Sequence, residues 1–284
     1  MKITFCPTNQ YLTSFGAKSP AIRQADDIQR KTRTAFPFFS PCYADLYYRS
    51  CSPVYTAKTS ADYLKHWDNV DRLERKIASL NVIRESIQEA LCGRYTFSNK
   101  VFQIIEDIQK YKLANCEEAS TLTMASLIAN GYTNTHKCSL KLDTVIFDKA
   151  TGEEKFRLRD NLDHAFVIST MDKDSSKKKD FIVVDSWYGF ADSLSGAKAR
   201  YFQLSDKQKI FKAKQKAINQ FKQKYKSKYE ASGKTFDLNN FDIRQNINYE
   251  IKESSSGQEC EKLKDFYEKN YPDLILNSKS KSKD

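Results

Sequence analysis

No run of apolar residues in this chain approaches the ~20 needed to span a bilayer. The opening Met1-Lys2-Ile3-Thr4-Phe5-Cys6 passes straight into polar residues, so neither a signal-peptide core nor the general secretory route is expected. No Cys-x-x-Cys pair occurs among the seven cysteines, at positions 6, 42, 51, 92, 116, 138 and 260. An odd count without pairs points to reduced thiols rather than a disulfide framework. There are only three histidines, His66, His136 and His164, which argues against a structural zinc site. No internal repeat is found, and no nucleic-acid recognition motif. What is present is an apolar content of 40% with 13% aromatics, enough to build a core in 284 residues.

The net charge of +11 is unevenly placed. From Lys198 to Lys228 there are eleven Lys and Arg against one acid, Asp206, so this segment carries nearly all the excess. The chain reads as a near-neutral body with a basic helix. Phe211, Ile218, Phe221, Tyr225 and Tyr229 form an apolar stripe on that helix, which is read as facing the core, with the lysines on a solvated face. An acidic partner or an anionic membrane surface is the alternative use of those lysines; nucleic acid is not favoured.

Residues 1–60 lack periodicity and mix Pro37, Pro41 and Pro53 with aromatics, as expected of an irregular extension. Val70, Leu73, Ile77, Leu80, Ile87 and Leu91 predict a helix over about 68–92, stopped by Gly93. A second helix is predicted after Ser98 as N-cap, with Val101, Ile104, Ile105 and Ile108 on one face. A third runs from Cys116 to Ala129 and ends at Asn130-Gly131; its apolar character fits a buried central helix. The period then changes to two. Strands are expected at Ser139–Phe147, Glu154–Arg157, His164–Ser169 and Phe181–Asp185, with Asp160-Asn161 read as a turn. The short connections make the sheet antiparallel.

Three segments carry chemistry. Cys116 opens the third helix, where the positive end of the macrodipole favours a thiolate, although Glu117 and Glu118 act the other way. His164 stands on a strand with Phe166 and Ile168, held rigidly enough to serve as a base; His66 and His136 lack such support. Asp185 closes the nearly pure β-branched run Phe181-Ile182-Val183-Val184, where a carboxylate needs a partner. A histidine on the next strand supplies one. Each residue also has a plain reading, as a buried thiol, a core histidine or a turn aspartate. Their order, spacing and secondary structure together favour a Cys116, His164, Asp185 triad. The Cys116 backbone N–H and the side chain of Asn115 or Gln109 are candidate oxyanion donors. Trp187 and Tyr188 are candidates for a substrate groove, with Trp187 equally placed to anchor the core.

Asn115-Cys116-Glu117-Glu118, Asp163-His164-Ala165-Phe166-Val167 and Val184-Asp185-Ser186-Trp187-Tyr188-Gly189 resemble the papain-like and transglutaminase-like cysteine enzymes, and more narrowly bacterial effectors of that superfamily. Glu117 departs from the pattern where glycine is common, and Ser186 where proline often follows the aspartate. The resemblance implies an α+β papain-like fold in which the helix carrying Cys116 packs on an antiparallel sheet carrying His164 and Asp185. Extra helices are expected at both ends, with the helices gathered on one side of the sheet. It implies acyl transfer through a Cys116 thioester without cofactor or metal. The favoured form is glutamine deamidation or transglutamination of a host protein by an effector delivered into the host cell. A papain-like protease and a catalytically silent binding module using the basic helix are the alternatives. The expected division is an N-terminal extension over 1–60, a catalytic core over 61–205, a basic helical appendage over 206–276 and a disordered tail over 277–284.

Overall fold

The structure is a computed structural model that describes residues 19–38, 40, 72, 75–82, 84–85, 96–132, 134–170, 180–205, 207–233, 235–255 and 257–276. The expected tail at 277–284, most of the 1–60 extension and much of the 68–92 helix lie outside the described residues, although 75–82 is helical. The chain is α+β. Helix α1 (Pro20–Ala35), α2 (Phe97–Tyr111) and α3 (Cys116–Ala129) precede β1 (Asn134–Asp148), β2 (Glu154–Thr170), β3 (Ile182–Asp185) and β4 (Phe190–Ser193). Then come α4 (Leu194–Leu204), α5 (Lys207–Ala231), β5 (Phe241–Ser254) and α6 (Gly257–Asn270). The strands form one antiparallel sheet in the order β4-β3-β2-β1-β5.

Helix α3 is the centre of the molecule. From Glu118 to Ala129 every residue is buried, so it has no solvated face, and its hydroxyls must find partners inside. Thr123 donates to the Ala119 carbonyl at 2.7 Å and also meets the Ser186 hydroxyl, while Ser126 donates to Tyr267 Oη at 3.3 Å. Around α3 pack α1, α2 and α6, with Val167, Ile182, Val184 and Ala191 supplied by the sheet. The second helix starts two residues earlier than expected, capped by Thr96 rather than Ser98.

Helices cover both faces of the sheet, not one. The alternate residues Cys138, Leu140, Leu142, Phe166, Ile168 and Val183 point away from α3 and pack on Ala197 and Tyr201 of α4 and Ala213 of α5. Nor is 206–276 an appendage. Helix α5 lies on β1 and β2, β5 completes the sheet beside β1, and α6 packs on α3. Likewise α1, inside the expected N-terminal extension, contacts α3, β3 and β4. The stripe on α5 is shorter than expected: Ala213, Ala217, Ile218 and Phe221 are buried, but Phe211 is 61% exposed. Among the described residues no helix is long and apolar enough to cross a membrane.

The expected turn at Asp160-Asn161 is instead part of a continuous strand. Ser139 pairs with Ala165 and Lys141 with Asn161, so one residue of β1 faces three of β2. Asp163 takes up the bulge at φ +52°, a left-handed conformation that Asp tolerates better than most, and its N–H is caught by Asn161 Oδ1 at 3.2 Å. The turn-forming residues are real signals, and they mark a bulge. It falls immediately before His164.

Candidate active site

Cys116 is the first residue of α3 and is half-buried. The N-cap, Asn115, is fixed by its own N–H, which donates to Glu118 Oε2 at 2.8 Å. The two carboxylates beside the thiol are both matched by cations. Glu118 is gripped in bidentate fashion by Arg84, with Nε at 2.6 Å and the second nitrogen at 2.9 Å. Glu117 meets Lys137 Nζ at 2.6 Å and Lys100 Nζ at 3.4 Å, and both lysines also reach Glu253 of β5. Burial works to raise the Glu117 pKa, but the two lysines prevail and hold it below its ordinary value. The unfavourable charge expected from Glu117 and Glu118 is thus offset within its own neighbourhood.

His164 lies on β2 just beyond the residues that pair with β3, whose last described partners are Val167 and Val184. Its ring is buried, with the rings of Tyr188, Trp187 and Tyr201 centred 4.8, 5.1 and 5.6 Å away. Nε2 stands 2.6 Å from Asp185 Oδ2, and because a carboxylate only accepts, Nε2 carries the hydrogen. The other ring nitrogen, Nδ1, is buried and has no hydrogen-bond partner among the described residues. Cys116 adds to the electrostatic environment that favours a charged ring. Burial opposes a charged imidazole here, yet Asp185 and then Cys116 outweigh it and push the His164 pKa up to about 9.

Asp185 is 1% exposed and has both oxygens occupied. Oδ2 accepts from His164 and from the Tyr201 hydroxyl at 2.7 Å; Oδ1 accepts the N–H groups of Trp187 at 3.0 Å and Tyr188 at 2.9 Å. Burial and the adjacent carboxylate drive the Tyr201 pKa well above the ordinary value, so it stays a phenol and a donor. The turn after Asp185 closes through Gly189, whose N–H meets the Asp185 carbonyl at 2.7 Å and whose φ of +76° suits glycine. Arg33 of α1 donates to the Ser186 carbonyl at 3.2 Å.

The cysteine helix and the aspartate turn are linked directly. Trp187 Nε1 donates to Ser40 Oγ at 2.6 Å, and Ser40 donates to Asn115 Oδ1 at 2.9 Å. Trp187, expected as a groove or an anchor, is buried and bonded as an anchor; Tyr188 is half-buried beside His164. Asn115 serves as cap and link. Gln109, the other oxyanion candidate, bonds Tyr271 Oη at 3.1 Å and is not brought to this cluster by any bond seen here. His136 is engaged by Ser254 and Asn134, each at 2.8 Å, and His66 lies outside the described residues. Among the described residues no group of three or more potential ligands could hold a metal ion.

Tyr201, Ser40, Arg84, Lys100 and Lys137 belong to this neighbourhood, yet nothing in the sequence marks them. They come from distant segments and act through contacts that only the fold creates. As it stands, the cluster offers a half-buried thiol at a helix N-terminus and a buried imidazole paired with a carboxylate. No protein-family model matches the chain, and no curated protein or solved structure does either.

Proposed function

We propose that this chain is a cysteine-dependent acyl-transfer enzyme whose nucleophile is Cys116, whose acid and base is His164, and whose orienting carboxylate is Asp185. The observation that carries the reading is the buried His164 ring, held by Asp185 at 2.6 Å through Nε2, together with a half-buried Cys116 at the first turn of α3. The Cys116 thiol passes its proton to His164 as its sulfur attacks an amide carbonyl carbon, forming a C–S bond and a tetrahedral oxyanion. Backbone N–H groups at the start of α3 are the natural donors to that oxyanion. As the C–N bond breaks, His164 gives its proton to the departing nitrogen and a thioester remains. Neutral His164 then takes a proton from water or an amine, which attacks the thioester; as the C–S bond breaks, that proton passes to the sulfur and the thiol is restored.

The motif resemblance favours a glutamine side chain of a host protein as the amide, with an effector acting inside the host cell as the setting. The test incubates the full chain with candidate host proteins and an amine acceptor, followed by intact and peptide mass spectrometry. Conversion of glutamine to glutamate, or attachment of the amine, lost in Cys116→Ala, supports the reading. Fragmentation of the substrate would assign the chemistry to peptide bonds instead. Modification that persists in Cys116→Ala removes cysteine catalysis altogether.

A further inference from the structure

Helix α5 carries nine lysines and one acid, Glu230. Its inner side is accounted for by Ala213, Ala217, Ile218 and Phe221. Lys216 is tied to Asp160 at 2.7 Å, which fastens the helix to β2. Lys224 and Lys228 lie over the Tyr225 ring, 5.4 and 5.6 Å from its centre. Lys209, Lys212 and Lys222 are exposed.

The apolar residues at the head of this helix are the unexpected part. The large exposed hydrophobic residues among those described are Val82, Tyr111, Phe202, Leu204, Phe211 and Ile251. Half of them fall between 202 and 211, at the junction of α4 and α5. Phe202 is 43% exposed, Leu204 38% and Phe211 61%. Phe211 departs from the inner stripe and, at helical spacing, shares a side with Lys207 and Lys222. A solvated lysine face needs no phenylalanines. Two exposed phenylalanines and a leucine close in sequence to a row of lysines are the composition of a surface that enters a headgroup layer, with rings below the phosphates and ammonium groups among them.

We infer that the α4–α5 junction and the outer face of α5 dock on an anionic lipid bilayer, lying in its interface without crossing it. The charge selects anionic headgroups, each nearby lysine adding to the attraction, and the apolar residues supply an anchorage that salt does not screen. An acidic protein surface would use the lysines but gives no reason for Phe202, Leu204 and Phe211 to be bare. This inference goes beyond the chemistry at Cys116 and does not depend on it. The face belongs to the side of the sheet opposite α3, so a docked molecule keeps the cysteine helix away from the lipid.

The test is co-sedimentation of the full chain with phosphatidylcholine vesicles, with and without phosphatidylserine. The lipid-free chain and its variants are checked by circular dichroism. Sedimentation is expected only with phosphatidylserine. Lys209→Glu with Lys212→Glu and Lys222→Glu should lower partition about tenfold or more, and Phe202→Ser with Phe211→Ser by a similar factor. The phenylalanine variant should keep the salt dependence of the parent. Failure to bind phosphatidylserine vesicles would overturn the inference. So would binding that is unchanged in the folded phenylalanine variant. A preference for single-stranded RNA over vesicles, competed by salt alone, would overturn it in favour of a polyanion site. If the lysine variant fails to fold, the phenylalanine variant and the salt titration decide by themselves.

Discussion

Two aspartates, Asp143 and Asp185, are each 1% exposed on the same sheet, and they are held in opposite ways. Asp143 of β1 is met by Arg159 at 2.7 Å, Arg157 at 3.0 Å and Asn248 at 3.0 Å. Burial would raise its pKa, but these partners hold it down at about 2. Both arginines are nearly half exposed, so they bring permanent charge from the solvent edge to a carboxylate that never needs to change. Asp185 has no arginine among its bonded partners. It is satisfied by two backbone N–H groups, a phenol and one titratable ring. Equal burial therefore serves two ends. A carboxylate fixed by guanidinium groups is architecture; one fixed by an imidazole that can give up its proton is equipped for chemistry.

Removing the groups proposed as nucleophile and base should produce the largest effects. Cys116→Ala and His164→Ala are each expected to lower turnover roughly 10⁴-fold or more, measured by single-turnover assay on the substrate once captured. Asp143→Asn should leave the rate of Cys116 alkylation by iodoacetamide unchanged. A comparable fall in Asp143→Asn would erase the distinction drawn between the two carboxylates.

Exchange of the two aspartates for asparagine sharpens the contrast. Asp185→Asn should cost roughly 10²- to 10⁴-fold in turnover, because the amide no longer fixes the ring tautomer or supports the imidazolium. Thermal unfolding should show a modest change, since the backbone donors keep an acceptor. Full activity in Asp185→Asn would return this residue to the ordinary role of a turn aspartate.

The pH dependence of stability should separate the regions at opposite ends of the scale. His164 is raised from 6.5 to about 9, so its contribution is complete below about 6.5 and is lost as pH climbs through about 9. Asp143 is lowered from 3.8 to about 2, so its contribution is present above about 3.8 and is lost as pH falls through about 2. Denaturant unfolding across pH should show the alkaline loss shrink in Asp185→Asn and the acid loss shrink in Asp143→Asn. Alkaline loss of full size in Asp185→Asn would mean that His164 does not draw its charge from this pair.

The smallest expected effect comes from Tyr201→Phe, which removes one of four donors to Asp185. Turnover should fall roughly tenfold or less, and the His164 titration followed by NMR should move upwards as the carboxylate loses a competing donor. A shift downwards would show that the phenol supports the ring rather than competes with it.

Much of this arrangement is legible in the residues themselves. Cys116 to Ala129 reads as a buried helix because apolar residues fill all its sides and Asn130-Gly131 closes it. The run before Asp185 reads as a strand because it is β-branched almost throughout. Other parts are not legible, for definite physical reasons. Asn161 and Asp163 look the same whether they make a turn or a bulge, and only the pairing of Ser139 with Ala165 decides. β5 alternates asparagine, lysine and glutamate with scattered apolar residues, a polar pattern that gives no strand signal until β1 lies beside it. Glu117 carries no sign in sequence of Lys137, and Phe211 none of its exposure. Asp143 reads as an ordinary surface residue, because burial of a lone carboxylate depends on arginines from the adjacent strand.

The pairing of β1 with β5 also bears on the order in which the molecule assembles. Asp148 pairs with Phe241 and His136 with Ser254, so one side of β1 waits for a strand from far along the chain. Pairings of such long range form slowly. Until then β1 is an edge, and the charges of Lys137 and Lys141 guard it against adhesion to another chain. Glu253 travels with β5, and with it comes the last member of the ionic cluster around Glu117. The strand that closes the sheet therefore also completes the setting of the thiol. In refolding, helix and strand content should recover before alkylation of Cys116 by iodoacetamide settles to the rate of the folded chain.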